Sequence, residues 1–366
     1  MSLFDLPTPC LVLDVGAMHR NVGRMMQALR PHQVALRQHV KTAKSIEVAG
    51  QIAEIFGTRA ITVSTLAEAE AFVEAGFDDV LYAVGLVPQK VARLCALAEF
   101  ADVSGIVDSL DVVVAIADQV TCERPLPLGI EIDVGQHRGG IDPESDALLA
   151  IADGIASQRR LELWGVVAHA GHAYDAADRD AIIAVAEAER RGAVRAAERL
   201  RAAGHEVQHL SIGSTPTALF GASFEGITEV RAGVFVFQDL FQSALGCALK
   251  ADIAVSVLTT VIGVRGDELL LDAGGIALSK DRSMDGRGGG YGELRTVDGG
   301  PIEGAPRVHS VNQEHGMASV PDHGLSVGDR LRVLPNHACM TAAQHDHYWA
   351  LGANGTLSQW PRVRGY

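Results

Sequence analysis

The chain has no apolar run approaching the ~18 residues that a membrane-spanning helix requires, which argues against a membrane protein. Positive charge is also short. Lys and Arg number 31 against 45 Asp and Glu, a formal net charge of −14. Nucleic acid and anionic membranes both reward clustered Lys and Arg, so neither is expected as a partner. Cysteine is sparse: Cys10, Cys95, Cys122, Cys247 and Cys339 are scattered and contain no Cys-x-x-Cys pair. An odd, dispersed set predicts unpaired thiols in a reducing compartment rather than a disulfide framework. The N-terminus has no charged segment followed by an apolar stretch, so no signal peptide is expected and the chain reads as cytoplasmic. There is no internal repeat, and the one low-complexity spot, Asp285–Gly290, reads as a flexible loop.

What is present indicates an ordered globular protein, with 48% hydrophobic and 21% charged residues. At 366 residues the chain exceeds what one core usually supports, so a large domain plus a smaller one is expected. Short β-branched runs alternate with Ala-rich helical patterns. Strands are predicted at Val34–Leu36, Ala60–Ser64, Val80–Val84, Val103–Val107, Leu128–Asp133, Leu163–His169, Val207–Ile212 and Glu229–Phe237. Between them lie helical stretches such as Leu66–Ala75, Gln89–Glu99, Leu110–Gln119, Pro143–Ser157 and the long Ala176–Ala203, which stops at Gly204. This alternation predicts a (β/α)8 TIM barrel over residues 15–242. A doubly wound open sheet is the competitor, but no Gly-rich fingerprint follows its first strand. After Gln242 strands follow one another with turn signals between them (Ala251–Val264, Glu268–Asp272, Arg307–Val311, Arg330–Val333). Residues 1–14 and 243–366 therefore read as a mostly-β domain.

In such a barrel, chemistry gathers at the C-terminal ends of the strands. The first strand delivers His39 and Lys41 there. A lysine at a barrel mouth can form a Schiff base where its surroundings lower its pKa. The fifth delivers Asp133 and a loop with Arg138, and the sixth His169, Gly171, His172 and Tyr174. The seventh ends in Gly213-Ser214-Thr215-Pro216-Thr217 and the eighth in Arg231-Ala232-Gly233-Val234. The last two suit a phosphate, through backbone N–H groups and hydroxyls, although such a turn taken alone is more often a helix N-cap. A lysine at strand 1 facing a phosphate cradle at strands 7 and 8 describes a pyridoxal phosphate site. Arg138, beside glycines, is placed to reach an anionic ring oxygen. In the β-domain, Pro335-Asn336-His337-Ala338-Cys339 reads as a strand with His337 and Cys339 on one face. That pair suits an open zinc site, and core packing is the plainer alternative. His345 and His347 read as exposed or supporting groups.

Together these residues resemble the alanine-racemase-like, metal-assisted pyridoxal phosphate enzymes that act on D-3-hydroxy amino acids. That family contains zinc-dependent D-serine dehydratases, D-threo-3-hydroxyaspartate dehydratases and D-threonine aldolases. The likeness runs nearly end to end, through Thr8-Pro9, the Lys41 motif, His169-Ala170-Gly171-His172-Ala173-Tyr174, Gly213–Thr217, Gly233–Phe237, Gln313-Glu314-His315-Gly316 and His337-Ala338-Cys339. The family's lysine motif reads Arg-Pro-His-x-Lys-Thr-His-Lys, and this chain departs from it at Gln38 and Ala43. The resemblance implies that Lys41 is the Schiff-base lysine, with Arg138, His169, Tyr174, Gly213, Ser214, Thr215, Gly233 and Val234 around the cofactor. It also implies a divalent metal on His337 and Cys339, zinc before manganese or magnesium, and a head-to-tail homodimer in which each β-domain completes the partner's site. The activity implied is dehydration of a D-3-hydroxy amino acid, D-serine first, with D-threo-3-hydroxyaspartate as an alternative substrate. Lys41 would take the Cα proton and the metal would assist loss of the 3-hydroxyl. The aldolase alternative uses His169 or His172 as base. A racemase would need a second base, with Tyr291, Tyr348 and Tyr366 as candidates. A non-catalytic pyridoxal phosphate-binding protein is the last reading. Lys44 reads as a surface or supporting charge.

Overall fold

The computed structural model describes residues 2–282 and 289–366. The Asp285–Gly290 loop lies outside the described residues apart from Gly289 and Gly290. The chain divides into two compact units, one of Met25–Gly233 with Val363–Tyr366, the other of Met1–Arg24 with Val234–Arg362.

The first strand, β1 (Cys10–Asp14), belongs to the second of these units. The next eight are β2 (Ala35–His39), β3 (Ala60–Val63), β4 (Asp79–Gly85), β5 (Asp102–Val107), β6 (Leu126–Ile132), β7 (Leu161–Ala168), β8 (His209–Ile212) and β9 (Glu229–Ala232). They close into the expected parallel barrel, β2 returning to β9 with Arg37 opposite Arg231. Local chemistry starts the intervening helices. Thr65, Ser109 and Asp178 each accept a backbone N–H three residues on, the usual N-cap bond. The longest helix, Arg179–Ala202, ends before Gly204, which takes φ +93°.

Apolar and polar layers both fill the barrel. Leu81, Ile106 and Val167 form a buried cluster with Ala83 and Trp164 packed against it. Below it Arg37, only 2% exposed, forks onto both oxygens of Asp79 (2.7 and 2.9 Å) and of Glu229 (2.8 and 2.9 Å). Strand packing is close enough at one point to require glycine. A Cβ on Gly165 would lie 2.0 Å from the His209 carbonyl oxygen.

The second unit holds β10 (Val255–Arg265), β11 (Glu268–Leu271), β12 (Glu293–Thr296), β13 (Val308–Val311), β14 (Gly316–Ser319), β15 (Arg330–Leu334), β16 (His347–Leu351) and β17 (Leu357–Pro361). β1 is central in this sheet, antiparallel to β10 and parallel to β16. Leu6, Cys10, Val12, Leu258 and Trp349 form a buried cluster beneath it.

The structure corrects several expectations. The eighth barrel strand ends at Ala232 instead of running to Phe237, and a 3-10 turn follows at Val234–Val236. At Gly233 a side chain would collide with the His39 carbonyl and the Thr42 hydroxyl, both 2.9 Å from a Cβ, and the strand ends there. The segment after β15 is not a strand. His337 is extended (φ −133°, ψ 104°) and caps a helix, Ala338–Ala342, that contains Cys339. The cysteines are not all unpaired: Cys95, in the helix Pro88–Leu97, is disulfide-bonded to Cys122, with a Cα–Cα separation of 5.0 Å. Packing of that helix beside the segment leading into β6 brings together two residues whose spacing carries no disulfide signature. Cys10, Cys247 and Cys339 remain thiols.

Candidate active site

Lys41 lies two residues past the end of β2, exposed at the barrel mouth. Its turn is held firmly. The Val40 N–H donates to Thr62 O (3.0 Å) and the Lys44 N–H to Val40 O (2.7 Å). Lys44 is more than a solvated charge, because its Nζ lies 2.8 Å from Glu68 Oε1, and Glu68 is fully buried. Glu68 also accepts the Ser64 N–H at 2.7 Å. A brace of this kind keeps Lys44 apart from Lys41 and fixes the lysine turn against β3.

His169 follows β7, and its Nδ1–H donates to the Gly213 carbonyl at 2.8 Å. Burial pushes its pKa down to about 3. Lys41, Arg231 and Arg138 push the same way, and the Gly213 bond opposes them. The imidazole is therefore neutral at any working pH, with its proton on Nδ1. His39 is depressed likewise, by burial and then by Lys41, Arg231 and His169. These electrostatic couplings place Lys41, Arg138, His169 and Arg231 around one mouth.

Gly213 takes φ +127°, and a Cβ there would stand 2.6 Å from the Arg231 carbonyl oxygen, so no other residue fits. Ser214 is an N-cap, its hydroxyl accepting the Thr217 N–H at 3.4 Å, so its oxygen is already committed to the helix Thr215–Phe220. Thr215 is fully buried, and its N–H points to the Tyr174 hydroxyl at 3.5 Å. Val234, buried after the Gly233 turn, falls in the other unit. Arg138 is 57% exposed, with Nη2 3.8 Å from Glu131 Oε1. Burial raises the Glu131 pKa, while Arg138 and Arg231 pull it down. Asp133 fastens the Arg138 loop by accepting the Gly135 and His137 N–H groups at 2.9 and 3.1 Å. His172 lies in the 3-10 turn Gly171–Asp175, its Nδ1 buried without a hydrogen-bond partner among the described residues.

Sequence reasoning named Arg231 only as part of the loop after the eighth strand and did not single out Glu189. Arg231 is buried, donating to Ser211 Oγ (2.7 Å) and Ala168 O (2.5 Å). Its signal was available: Glu229 and Arg231 alternate in a short strand, so both point into the barrel. Glu189, in the long helix, accepts the N–H groups of Ala170 and Gly213 on one oxygen, both at 2.9 Å. Nothing in its Ala-, Glu- and Arg-rich surroundings marked it.

The mouth fits a phosphorylated aldehyde. It offers an exposed amine, the cations of Arg138 and Arg231, and an uncharged imidazole. The second unit holds the other candidate centre. His337 Nδ1 lies 3.0 Å from Asp281 Oδ2. Burial pushes the His337 pKa down, but a hydrogen bond with Cys339 and the negative charges of Cys339, Asp239 and Asp281 outweigh it, raising it to about 9. A site that stabilises a positive charge on imidazole next to a thiol suits a soft cation in the proton's place. Among the described residues no group of three or more His, Cys, Asp and Glu is arranged to hold a metal. The pair would therefore bind with open positions left for water or substrate.

The other histidines and tyrosines have local partners. His345 Nε2–H donates to Ala277 O at 3.0 Å. His347 Nε2 lies 3.4 Å from Gln359 Nε2. Tyr348 is buried, its hydroxyl accepting from Arg362 Nε at 3.0 Å, and burial pushes its pKa up, which suits a core residue and not a base. Tyr291 has Arg282 over its ring at 5.7 Å, and Tyr366 is 92% exposed at the chain end.

Residues 13–240 match the family described as "Alanine racemase, N-terminal domain", and residues 254–351 match a serine dehydratase domain. The chain is 40% identical to D-threo-3-hydroxyaspartate dehydratase of Delftia sp. (strain HT23), covering all of this chain and 99% of that one. It is 29% identical to D-serine dehydratase of Dictyostelium discoideum, covering 96% and 95%. Among solved structures, a cysteine-to-alanine variant of the D-threo-3-hydroxyaspartate dehydratase in the metal-free form superposes with a TM-score of 0.95 over the full length of both chains at 40% identity. A histidine-to-alanine variant of that enzyme, substituted two positions earlier, gives 0.93.

Proposed function

We propose, for a chain that belongs to the alanine racemase N-terminal domain family, a pyridoxal phosphate- and metal-dependent lyase that dehydrates a D-3-hydroxy amino acid to a 2-oxo acid and ammonia. D-Serine and D-threo-3-hydroxyaspartate are the two substrates in view, the second favoured by the 40% identity to an enzyme named for it. The observation that carries the reading is the pairing, in one chain, of an exposed amine beside a neutral buried imidazole with a His–Cys pair in an anionic setting. The relative solved metal-free with its cysteine replaced supports a metal on His337 and Cys339, for which zinc is the natural choice.

Pyridoxal phosphate, when bound, supplies the electron sink that makes loss of a Cα proton possible, and the metal a Lewis acid for the 3-hydroxyl. The remaining work belongs to the chain. Lys41 would hold the cofactor aldehyde, and its amine is the group at the mouth that would accept the Cα proton. Arg138 and Arg231 supply positive charge around the cofactor's anionic groups. The Gly213-Ser214-Thr215 and Gly233 turns would line the phosphate, the Gly213 N–H itself being committed to Glu189. His169 would meet the cofactor as a neutral imidazole, its single proton being committed to Gly213 O. Its depressed pKa makes it a poor base, which weakens the retro-aldol route through this residue. A homodimer is part of the proposal.

The test incubates the cofactor-loaded protein with D-serine, D-threo-3-hydroxyaspartate and D-threonine, with and without chelator. 2-Oxo acid and ammonia, suppressed by chelator and absent in Lys41→Ala, are expected. Glycine and aldehyde from D-threonine, with no 2-oxo acid from any substrate, would overturn the dehydratase reading. Sedimentation at micromolar concentration checks the dimer, and a monomer would count against it.

A further inference from the structure

Metal-ligating histidines donate their second ring N–H to a carboxylate or carbonyl, which fixes the tautomer and aims the other nitrogen at the metal. His337 has such a partner. We propose that Asp281 is the positioning residue of this centre: its carboxylate, 3.0 Å from His337 Nδ1, accepts the Nδ1–H hydrogen bond and leaves Nε2 as the ligating nitrogen. The inference rests on the reading that His337 and Cys339 bind a divalent metal.

The neighbourhood holds this carboxylate in place. The buried Asn336, immediately before His337, donates from Nδ2 to the Asp281 carbonyl at 2.7 Å and to the Gly290 carbonyl at 2.9 Å. The backbone bearing Asp281 is thereby tied to the backbone bearing His337. On the other side, buried Asp239 accepts the Ala338 N–H at 2.9 Å, fixing the residue between the two ligands. The two aspartates thus make different hydrogen bonds at the centre, Asp239 to the backbone and Asp281 to the ring. His337 and Asp281 side chains are 36% and 34% exposed, so the pair adds little to folding and its value lies in orientation.

The experiment measures zinc affinity by competition with a chromogenic chelator, using the full-length, cofactor-loaded protein. Loss of a supporting carboxylate weakens metal binding by roughly 10- to 100-fold, and that is the drop expected for Asp281→Ala. Asp281→Asn keeps an acceptor for Nδ1–H without the charge, so it should fall between Asp281→Ala and the parent. It also stands in should the alanine variant fail to fold. Cofactor absorbance and the metal-free melting temperature should stay at the parent's values in both. Cobalt adds a further readout, since the thiolate-to-cobalt absorption from Cys339 should persist while the imidazole environment changes. Asp281→Ala binding zinc within twofold of the parent, while His337→Ala loses it, would overturn the proposal. A parent that binds no stoichiometric metal would overturn the metal reading itself, and Asp281 with it.

Discussion

Glu189 tests whether the barrel mouth is preorganised by a single buried carboxylate. One oxygen accepts two backbone N–H groups at 2.9 Å, from Ala170 next to His169 and from Gly213, whose carbonyl holds the His169 ring. Glu189→Leu leaves both donors buried and unpaired. A hydrogen bond to a charged group contributes ~1.5–3 kcal/mol, so losing two that share one oxygen should cost about 3–5 kcal/mol of stability. Charge itself is a liability at this position, because burial raises the Glu189 pKa despite the two N–H bonds. A carboxyl with a raised folded pKa contributes fully below its unfolded pKa and loses that contribution as pH rises through the folded value. Glu189→Gln keeps the acceptor and sheds the ionisation, so it should match the parent near pH 4 and equal or exceed it at pH 8. Urea denaturation across that range gives the stabilities, and fluorescence titration gives cofactor affinity. Parental stability and affinity in Glu189→Leu, or a glutamine variant as damaged as the leucine one at pH 8, would refute the argument.

Arg37→Met strips two buried or half-buried carboxylates of their shared cation, and breaking such a pair from one side costs about 3–5 kcal/mol; a denaturation midpoint unchanged from the parent's would contradict it. With a His169 pKa near 3, ring 15N NMR should show no titration of this residue from pH 5 to 9. Its folded pKa is depressed, so it adds to the loss of stability as pH falls below about 6.5, and His169→Gln should flatten that slope. The Cys95–Cys122 bond closes a loop across a separation of 27 residues. Replacing both with Ala should cost roughly 3.5 kcal/mol by the chain-entropy estimate, measured against the untreated parent by urea melts with and without reductant.

The barrel was legible because its signal is local and repeated. Most strands are short apolar runs, several of the helices carry an N-cap, and eight such units leave few alternatives. Boundaries failed where a distant group decided them. The reading of Glu229–Phe237 as one strand was reasonable on hydrophobicity alone. The strand stops at Ala232, before a glycine whose backbone lies so close to His39 and Thr42, nearly two hundred residues earlier in the chain, that a side chain would collide there. The Cys95–Cys122 bond was hidden for a related reason, since packing brings the two together and no motif surrounds them.

The candidate sites divide along the same line. Lys41, His169 and the Gly213 turn lie at strand ends, so locating the strands located them. Their supports come from elsewhere: Glu189 is 24 residues from Gly213, and Asp281 is 56 from His337. The His337 and Cys339 side chains are within hydrogen-bond reach although the local structure expected for them was wrong. Two residues apart share a face on a strand, but on an α-helix they point in nearly opposite directions. The two meet here because His337 precedes the helix in an extended conformation and Cys339 lies in its first turn. Their proximity therefore depends on where the helix begins, and the Asp239 carboxylate on the Ala338 N–H is what marks that start. A substitution at Asp239 should thus separate the pair without touching either side chain, an effect that no pattern read along the sequence would anticipate.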